Sequence, residues 1–214
     1  MCGRLNDKAN PAQLSVLYDL IGIADAPVWE PRYNLAPTQH LPVIIERDGT
    51  RTLERAHWGF LPDSKFSTIN ARAESIHEKP LYRKAFHERR AVVVADSFYE
   101  WDKSAKPSQP YRVHRPDGQP ILLAAIYGVR KDEPNLTCAL VTTDANDLMR
   151  GIHHRMPVVI DLAEAEAWLS PGTSADLLHR MMAPQEWSDM ASYPVSTYVN
   201  NPNNDDERCI SPIP

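Results

Sequence analysis

Two apolar runs, AVVVA at residues 91–95 and ILLAAIY at residues 121–127, lie in the middle of the 214-residue sequence. Both are far shorter than the roughly 20 apolar residues that a membrane span needs, and their length is typical of buried strands. Further strand-like segments surround them, at residues 41–46, 52–58, 111–115, 136–142 and 157–160. The sequence therefore predicts a soluble protein whose middle is dominated by strands.

Helical signals stand on both sides of these strands. Asn10-Pro11, apolar residues at 14, 17, 20 and 21, and Gly22 predict an amphipathic helix near the N-terminus. Asp161 and Glu164 have the spacing of a capping box and open a predicted helix through residue 168. Other helices are predicted at residues 80–89, 145–150 and 175–182.

The turn signals favour an α+β fold. Asp48-Gly49 and Asp117-Gly118 each lie between two apolar runs, which predicts antiparallel hairpins rather than parallel crossovers. No internal repeat or glycine- and serine-rich linker interrupts the pattern, so residues 1–214 are predicted to form one domain.

Charge and cysteine content restrict the function. The 23 basic and 28 acidic residues give a net charge of −5, which argues against indiscriminate nucleic-acid binding. Nine of the acids lie from residue 161 onward with only two bases, so a basic groove in the first three quarters remains open. The three cysteines show no CxxC spacing, and no secretory signal begins the chain; reduced thiols and a cytoplasmic location are expected.

Cys2 is the first candidate reactive residue. Removal of the initiator methionine would leave a cysteine with a free α-amine of pKa about 7.7–8.0 beside a thiol of about 8.5. The amine can form a Schiff base with an aldehyde, and the thiol can then close a thiazolidine ring. A second-position cysteine without any role is the alternative on this residue alone.

Asn70 and Arg72 form a second candidate pair. If the segment INAR at residues 69–72 is extended, both side chains project to one face. The amide could orient a carbonyl while the guanidinium holds a phosphate. A turn-forming Asn and a surface Arg would be the ordinary interpretation.

Glu100 stands between Tyr99 and Trp101, directly after the apolar run at residues 91–95. Aromatic neighbours would desolvate its carboxyl group and raise the pKa, which suits proton transfer near neutral pH. Pairing with a nearby base is the alternative role.

His153 and His154 are adjacent at the entry to the strand predicted at residues 157–160. On an extended segment they would face opposite sides, so only one could reach a given site. No ligand spacing around them indicates a metal, and neither a metal nor a cofactor is predicted.

Six blocks of sequence, taken in order, resemble the SRAP family. The blocks are MCGR at 1–4, YNLAP at 33–37, WGF at 58–60, INAR at 69–72, YEW at 99–101 and IHHRMP at 152–157. The family, once described as SOS-response-associated peptidases, is known for processing abasic sites in single-stranded DNA by cross-linking to them. The resemblance implies a curved or barrel-like sheet with peripheral helices.

The resemblance also implies roles for particular residues. Cys2 would form the cross-link, Asn70 would hold its amine or the sugar, Glu100 would move protons and His153 would assist ring opening. The DNA-binding residues would be Arg4 and Arg72 on phosphates, Asn34 and Pro37 lining the pocket, and Thr142 near it. Many bacterial members carry paired tryptophans before the INAR block, but in residues 61–66 here only Phe66 could stack on a base.

The favoured hypothesis is a monomeric DNA-repair protein, nucleoid-associated if bacterial, that binds abasic single-stranded DNA and forms a thiazolidine through Cys2. Limited lyase activity by β-elimination and autocatalytic removal of Met1 would accompany it. A thiol peptidase with His153 as base, and a noncatalytic single-strand binding module, are the alternatives.

Overall fold

The computed structural model describes residues 2–8, 17, 30–60, 68–104, 106–129 and 136–213. The predicted N-terminal helix lies outside these ranges except for Leu17, which is helical, and Phe66 also lies outside them.

The strands are β1 Leu5–Asp7, β2 Arg32–Leu35, β3 His40–Arg47, β4 Thr50–Trp58, β5 Asn70–Arg72, β6 Arg90–Ala95, β7 Ser97–Asp102, β8 Gln109–His114, β9 Ile121–Val129, β10 Leu136–Asp144, β11 Arg155–Pro157, β12 Val159–Ile160 and β13 Ala191–Pro194. The helices are α1 Pro80–Glu88, α2 Asp147–Arg150, α3 Leu162–Leu169 and α4 Ala175–Met182. The described helices include none long and apolar enough to cross a membrane.

The larger sheet closes on itself. Its order is β11-β10-β4-β3-β6-β9-β12, and β9 also pairs with β10, so β10, β4, β3, β6 and β9 form a ring. Only the pairings of β10 with β4 and β5 are parallel, and the other pairings of the sheet are antiparallel. The prediction of an α+β fold with a mainly antiparallel, barrel-like sheet is confirmed.

Both faces of β6, β9 and β10 are buried, which explains the continuous apolar runs. Along β6, Val92 and Val94 pack with the helices, whereas Ala91 and Val93 pack in a second cluster with residues of the N-terminal segment. Strands covered on both faces lose the polar and apolar alternation that marks a strand facing water on one side. On the helix side, the indole nitrogen of Trp168 donates hydrogen bonds to two carbonyl groups of the ring.

The smaller sheet has the order β13-β8-β7-β1-β2, with the N-terminal strand between two partners. Leu5 pairs with Leu35 on one side and with Phe98 on the other. Because only Asp96 separates β6 from β7, the chain passes from the larger sheet to the smaller one almost without a loop. The N-terminus is thereby held against the ring.

One of the two predicted hairpins forms. Asp48-Gly49, both at positive φ, joins β3 to β4 in a continuous antiparallel ladder, as predicted. The prediction for Asp117-Gly118 is wrong, because this turn leads from β8 in the smaller sheet to β9 in the larger one. Each strand finds its partner elsewhere, β8 with β7 and β9 with β6. A local turn signal does not say whether its flanking strands pair.

We expect Phe86→Ala to lower the free energy of unfolding by about 3–5 kcal/mol. Phe86 in α1 is fully buried, and its ring centre lies 6.1 Å from that of Trp168. Urea denaturation of the variant and of Lys84→Ala, an exposed position on the same helix, measures the difference. Equal stability of the two variants would contradict the packing described for the helix side.

Candidate functional site

The site is built where the two sheets meet around the N-terminal segment. Cys2 is fully buried, and its carbonyl oxygen accepts a hydrogen bond of 2.9 Å from the side-chain nitrogen of Asn70. Asn70 begins β5 of the larger sheet, whereas the strand that follows Cys2 pairs with β7 of the smaller sheet, which carries Glu100. One short segment therefore collects side chains from both sheets.

Asn70 and Arg72 lie on one face of β5, as predicted for an extended segment, because the intervening Ala71 is buried on the helix side. β5 runs parallel to β10, with Arg72 opposite Thr142. The side-chain oxygens of Asn70 and Thr142 are buried and make no hydrogen bond within the part of the chain that the structure describes. Buried polar atoms usually have partners, so these two mark a place where a polar group of a ligand would be accommodated.

Glu100 is buried, and burial raises the pKa of its carboxyl group, as predicted. A hydrogen bond from the backbone of Trp101 is among the weaker effects that oppose this shift. The predicted cause was wrong: Tyr99 and Trp101 pack on the opposite face of β7, in the cluster beneath the C-terminal loops. Glu100 lies on the same face of β7 as Phe98. The packing of the two sheets on that face desolvates the carboxyl group of Glu100.

The thiol of Cys2 does not have the unperturbed acidity that the sequence suggested. Burial first, and then the negative charge of Glu100, raise its pKa far above the usual range, with the N-terminal amino group opposing them. The sulfur is therefore a protonated thiol at neutral pH rather than a thiolate.

His153 is half-buried and fixed by its neighbour in the chain. The amide of Arg155 donates a hydrogen bond of 3.0 Å to its Nδ1, and the carbonyl oxygen of Arg155 lies 3.2 Å from the same atom. Because the amide can only donate, the shorter contact is compatible with a neutral ring that carries its proton on Nε2. Burial and the nearby N-terminal amino group lower the pKa of His153 to about 4.

With a pKa of about 4, His153 is not a charged acid near neutral pH. At pH 7 the ring is neutral, and it can offer the Nε2–H group as a hydrogen-bond donor. Of the groups proposed for proton donation, Glu100 has the pKa shifted in the suitable direction.

The predicted geometry of the two histidines is also wrong. Residues 151–154 form a turn, and β11 begins only at Arg155. The rings of His153 and His154 stack with their centres 4.4 Å apart, so they share one side rather than facing opposite sides. His154 is the exposed member of the pair.

The two predicted phosphate-binding arginines differ in their surroundings. Arg72 is exposed, and its guanidinium makes no hydrogen bond or ion pair with the residues that the structure describes. Arg4 donates to the side chain of Asn34 at 2.7 Å and to the carbonyl oxygens of Val199 and Asn200 at 2.7 and 3.0 Å. Arg72 is thus free to meet an anion, whereas Arg4 is engaged with the C-terminal loop.

Asn34 and Pro37, predicted to line the pocket, lie at the end of β2 and just beyond it. Asn34 is fully buried, and its side-chain nitrogen lies within hydrogen-bond distance of three carbonyl oxygens in the C-terminal loop. Pro37 is partly exposed. Its position at the surface leaves it accessible to a ligand.

An ion-pair cluster that the sequence motifs do not reveal lies beside His153. The buried guanidinium of Arg155 bonds both oxygens of Glu74, at 2.7 and 2.9 Å, and one oxygen of Asp144 at 2.6 Å. Arg155 belongs to the block IHHRMP, and Glu74 follows the block INAR by two residues, so both lie beside motifs that were recognised. What the motifs did not reveal is that these residues bind one another.

The ring-like sheet and the polar groups gathered around Cys2 define an α+β protein whose candidate reactive groups lie at its own N-terminus. The chain belongs to the SRAP family, described as SOS response associated peptidase, which matches residues 1–202. It is 34% identical over 215 residues to the abasic site processing protein YoaM of Bacillus subtilis, covering 95% of each chain. It is 29% identical to the abasic site processing protein HMCES of Gallus gallus, covering 100% of this chain and 78% of the relative. A crystal structure of a protein from Bacteroides thetaiotaomicron shares the fold with a TM-score of 0.83 at 24% identity, over 99% of this chain and 100% of the other.

We predict that the protein loses stability on acidification through His153. Its pKa in the folded chain is below the unfolded value near 6.5, so the associated stability is present above pH 6.5 and is lost as the pH falls through about 4. Replacing the ring with a group that does not titrate, in His153→Gln, should reduce the loss of unfolding free energy between pH 7 and pH 4. We expect a reduction of about 1–2 kcal/mol, the full shift being discounted because the ring is only half-buried.

Urea titrations at both pH values measure this difference, with His154→Gln as the matched control at an exposed ring. An identical pH dependence in the wild type and in His153→Gln would show that His153 is not buried in its neutral form.

Proposed function

We propose that this protein binds abasic sites in single-stranded DNA and links them covalently to Cys2 after Met1 has been removed. The observation that carries the proposal is the hydrogen bond from Asn70 to the carbonyl of Cys2, which ties the candidate nucleophile to the larger sheet. The carboxyl group of Glu100 acts electrostatically on the Cys2 thiol, which supports its action on a reaction at that residue. The family and its abasic-site-processing relatives support the choice of substrate.

The first step opens the abasic sugar. In its protonated form, which burial favours, the carboxyl group of Glu100 gives a proton to the ring oxygen, the C1′ hydroxyl loses its proton to water, and C1′ becomes an aldehyde. The Nε2–H group of neutral His153 donates a hydrogen bond to the departing ring oxygen. The exposed guanidinium of Arg72 holds a phosphate beside the lesion.

The second step forms the link. The α-amine of Cys2 adds to C1′, and loss of water gives a Schiff base. The thiol then adds to the same carbon, its proton passing to the imine nitrogen, and a five-membered thiazolidine results. Because burial keeps the sulfur protonated, the amine attacks first and the thiol closes the ring.

Two further activities belong to the same proposal. From the Schiff base, loss of a C2′ proton and departure of the 3′ phosphate would cleave the strand, which is a lyase reaction. Cleavage of the Met1–Cys2 bond would be the one peptidase reaction required. The raised pKa of the Cys2 thiol disfavours a general thiol peptidase, because such enzymes depend on a thiol whose pKa is lowered.

We expect cross-linking to require both nucleophiles of Cys2. An extra residue retained before Cys2 should abolish the adduct, since the α-amine is then part of a peptide bond. Cys2→Ser should still form a Schiff base that borohydride traps, but no stable adduct. Denaturing gels with single-stranded DNA carrying one abasic site, with intact-mass analysis of the N-terminus, measure both outcomes.

Cys138→Ser and Cys209→Ser serve as matched controls, since both thiols are also buried. Loss of the adduct in these variants but not in Cys2→Ser would identify a different thiol. Equal cross-linking by a chain extended before Cys2 would eliminate the role of the α-amine. Binding without any adduct would favour the noncatalytic binding module.

Variants of Arg72 and Arg4 should distinguish an arginine that binds a phosphate from one that stabilises the fold. Arg72→Ala should lower DNA affinity for every sequence and reduce the slope of log K against log salt by about 0.7, the value for one phosphate contact on a single strand. Arg4→Ala should lower the unfolding free energy, because it removes three hydrogen bonds to Asn34 and the C-terminal loop. Fluorescence anisotropy over a salt series and urea denaturation measure the two effects. An unchanged salt slope in Arg72→Ala would place this arginine outside the interface.

A further inference from the structure

We propose that a pocket on the helix side of the larger sheet binds one base of the DNA strand next to the abasic site and prefers a base that carries an amino group. The proposal rests on the proposed function for the identity of the ligand, because the strand bound at Cys2 supplies the base. The pocket itself is separate from the groups around Cys2.

The pocket lies at the ends of β5 and β10, against the C-terminal end of α4, and has a volume of about 330 Å³. Small-molecule sites have volumes of roughly 300–1,000 Å³, so this pocket suits a single flat ring system. Its apolar walls come from residues 73 and 182–184, and its polar lining includes the imidazole rings of His77 and His179. Glu74 and Asp144 complete the lining at the strand ends.

The pocket begins next to the proposed phosphate contact of Arg72. Arg72 lies opposite Thr142 across β5 and β10, and the amide of Ala73 donates a hydrogen bond of 2.9 Å to the carbonyl of Thr142. The pocket residues 73 and 74 directly follow Arg72, as residues 143 and 144 follow Thr142. Two residues of strand span about 7 Å, so a DNA strand held at Arg72 has a neighbouring base within reach of the pocket.

Two imidazole rings form an aromatic corner in the pocket. The ring centres of His77 and His179 lie 4.9 Å apart, and the ring planes are inclined by 64°. The ring of His179 is in turn nearly parallel to that of the buried Phe86, with the centres 6.3 Å apart. Histidine is one of the side chains on which unpaired bases stack, and Phe86 supports this ring from the core.

His77 also has an unused hydrogen-bonding atom. Its Nδ1 is buried and makes no hydrogen bond within the ranges that the structure describes. Its Nε2 lies 3.5 Å from a carboxylate oxygen of Glu78, a contact that places the proton of the neutral ring on Nε2. Nδ1 is then an acceptor without a donor, and a ligand with an N–H group would satisfy it.

The charges of the pocket favour a hydrogen-bond donor over a phosphate. Arg155 bonds both oxygens of Glu74 but only one oxygen of Asp144, whose side chain is 72% exposed. The second oxygen of Asp144 therefore remains an acceptor. Two carboxylates against one guanidinium leave one negative charge, and among the described residues that line the pocket none is a lysine or an arginine.

These acceptors distinguish the bases. Cytosine presents an amino group that donates hydrogen bonds, whereas thymine presents a carbonyl oxygen and a methyl group at the same edge. The two pyrimidine rings have the same size, so the comparison of dC with dT isolates the amino group. We expect the pocket to prefer dC.

The first experiment measures binding without chemistry. Single-stranded DNA with a tetrahydrofuran analogue of the abasic site cannot form an aldehyde, and its two neighbouring bases are changed one at a time between dC and dT. At one of these positions dC should give a Kd about tenfold lower than dT, as measured by fluorescence anisotropy. Equal Kd values for dC and dT at both positions would overturn the proposal.

The second experiment uses His77→Ala and Ala183→Leu, with His87→Ala as the matched control. His77→Ala removes the unused acceptor, and Ala183→Leu fills the pocket from an exposed position while both imidazole rings remain. Both variants should reduce the ratio of the two Kd values to about one. His87 is an exposed histidine of α1 outside the pocket, and its variant should keep the tenfold ratio.

The filled pocket decides the outcome even if His77→Ala does not fold. A tenfold ratio that persists in Ala183→Leu would overturn the proposal. The slope of log K against log salt should be the same in Ala183→Leu and in the wild type, because a base contact releases no counterion. A slope reduced by about 0.7 would show that the pocket holds a phosphate, and it would also overturn the proposal.

Failure of the proposed function gives a different pattern. If natural abasic DNA binds but forms no adduct, the covalent step is wrong, while the dC preference still decides the pocket. If no abasic DNA binds, NMR titrations of the protein with deoxycytidine and with thymidine decide it. Shifts of the His77 and His179 ring signals with deoxycytidine alone would keep the pocket as a base-binding site and reject only the proposed function, and unchanged signals would reject both.

Discussion

The pairing of β1 between β2 and β7 is the constraint on which the rest of the site depends. An N-terminus usually frays, because nothing continues the chain on one side. Here the strand that begins three residues after Cys2 has a partner on each edge, and Asn70 adds a hydrogen bond at Cys2 itself. The residue that carries the proposed chemistry is thereby fixed at the contact between the two sheets.

Burial at that contact sets the electrostatics. Burial raises the pKa of Glu100 and lowers that of His153, and each shift favours the neutral form of its group. In a desolvated pocket the neutral form of either group costs less than its charged form, and the neutral imidazole of His153 retains a proton to donate. The exposed Arg72 lies outside this region, where a charge is fully solvated and available to an anion.

The sequence predicts local features well and spatial relations less well. The capping box of Asp161 and Glu164 is present as expected, because it depends on four consecutive residues. The turn at Asp117-Gly118 leads between sheets, because strand pairing is decided by distant residues that a turn motif does not contain. The same limit explains the site: the motifs named Glu100 and His153, but the pKa shifts of both residues follow mainly from burial, which depends on how the chain packs.

The order in which the chain is synthesised gives the position of β1 a further consequence. The strands that cover it, β2 and β7, are made later, and the carbonyl groups that bind Arg4 belong to residues 199 and 200, near the end of the chain. Until those residues leave the ribosome, the segment around Cys2 has no complete binding surface to enter. The segment around Cys2 therefore stays accessible during nearly the whole period of translation, and completion of the fold encloses it.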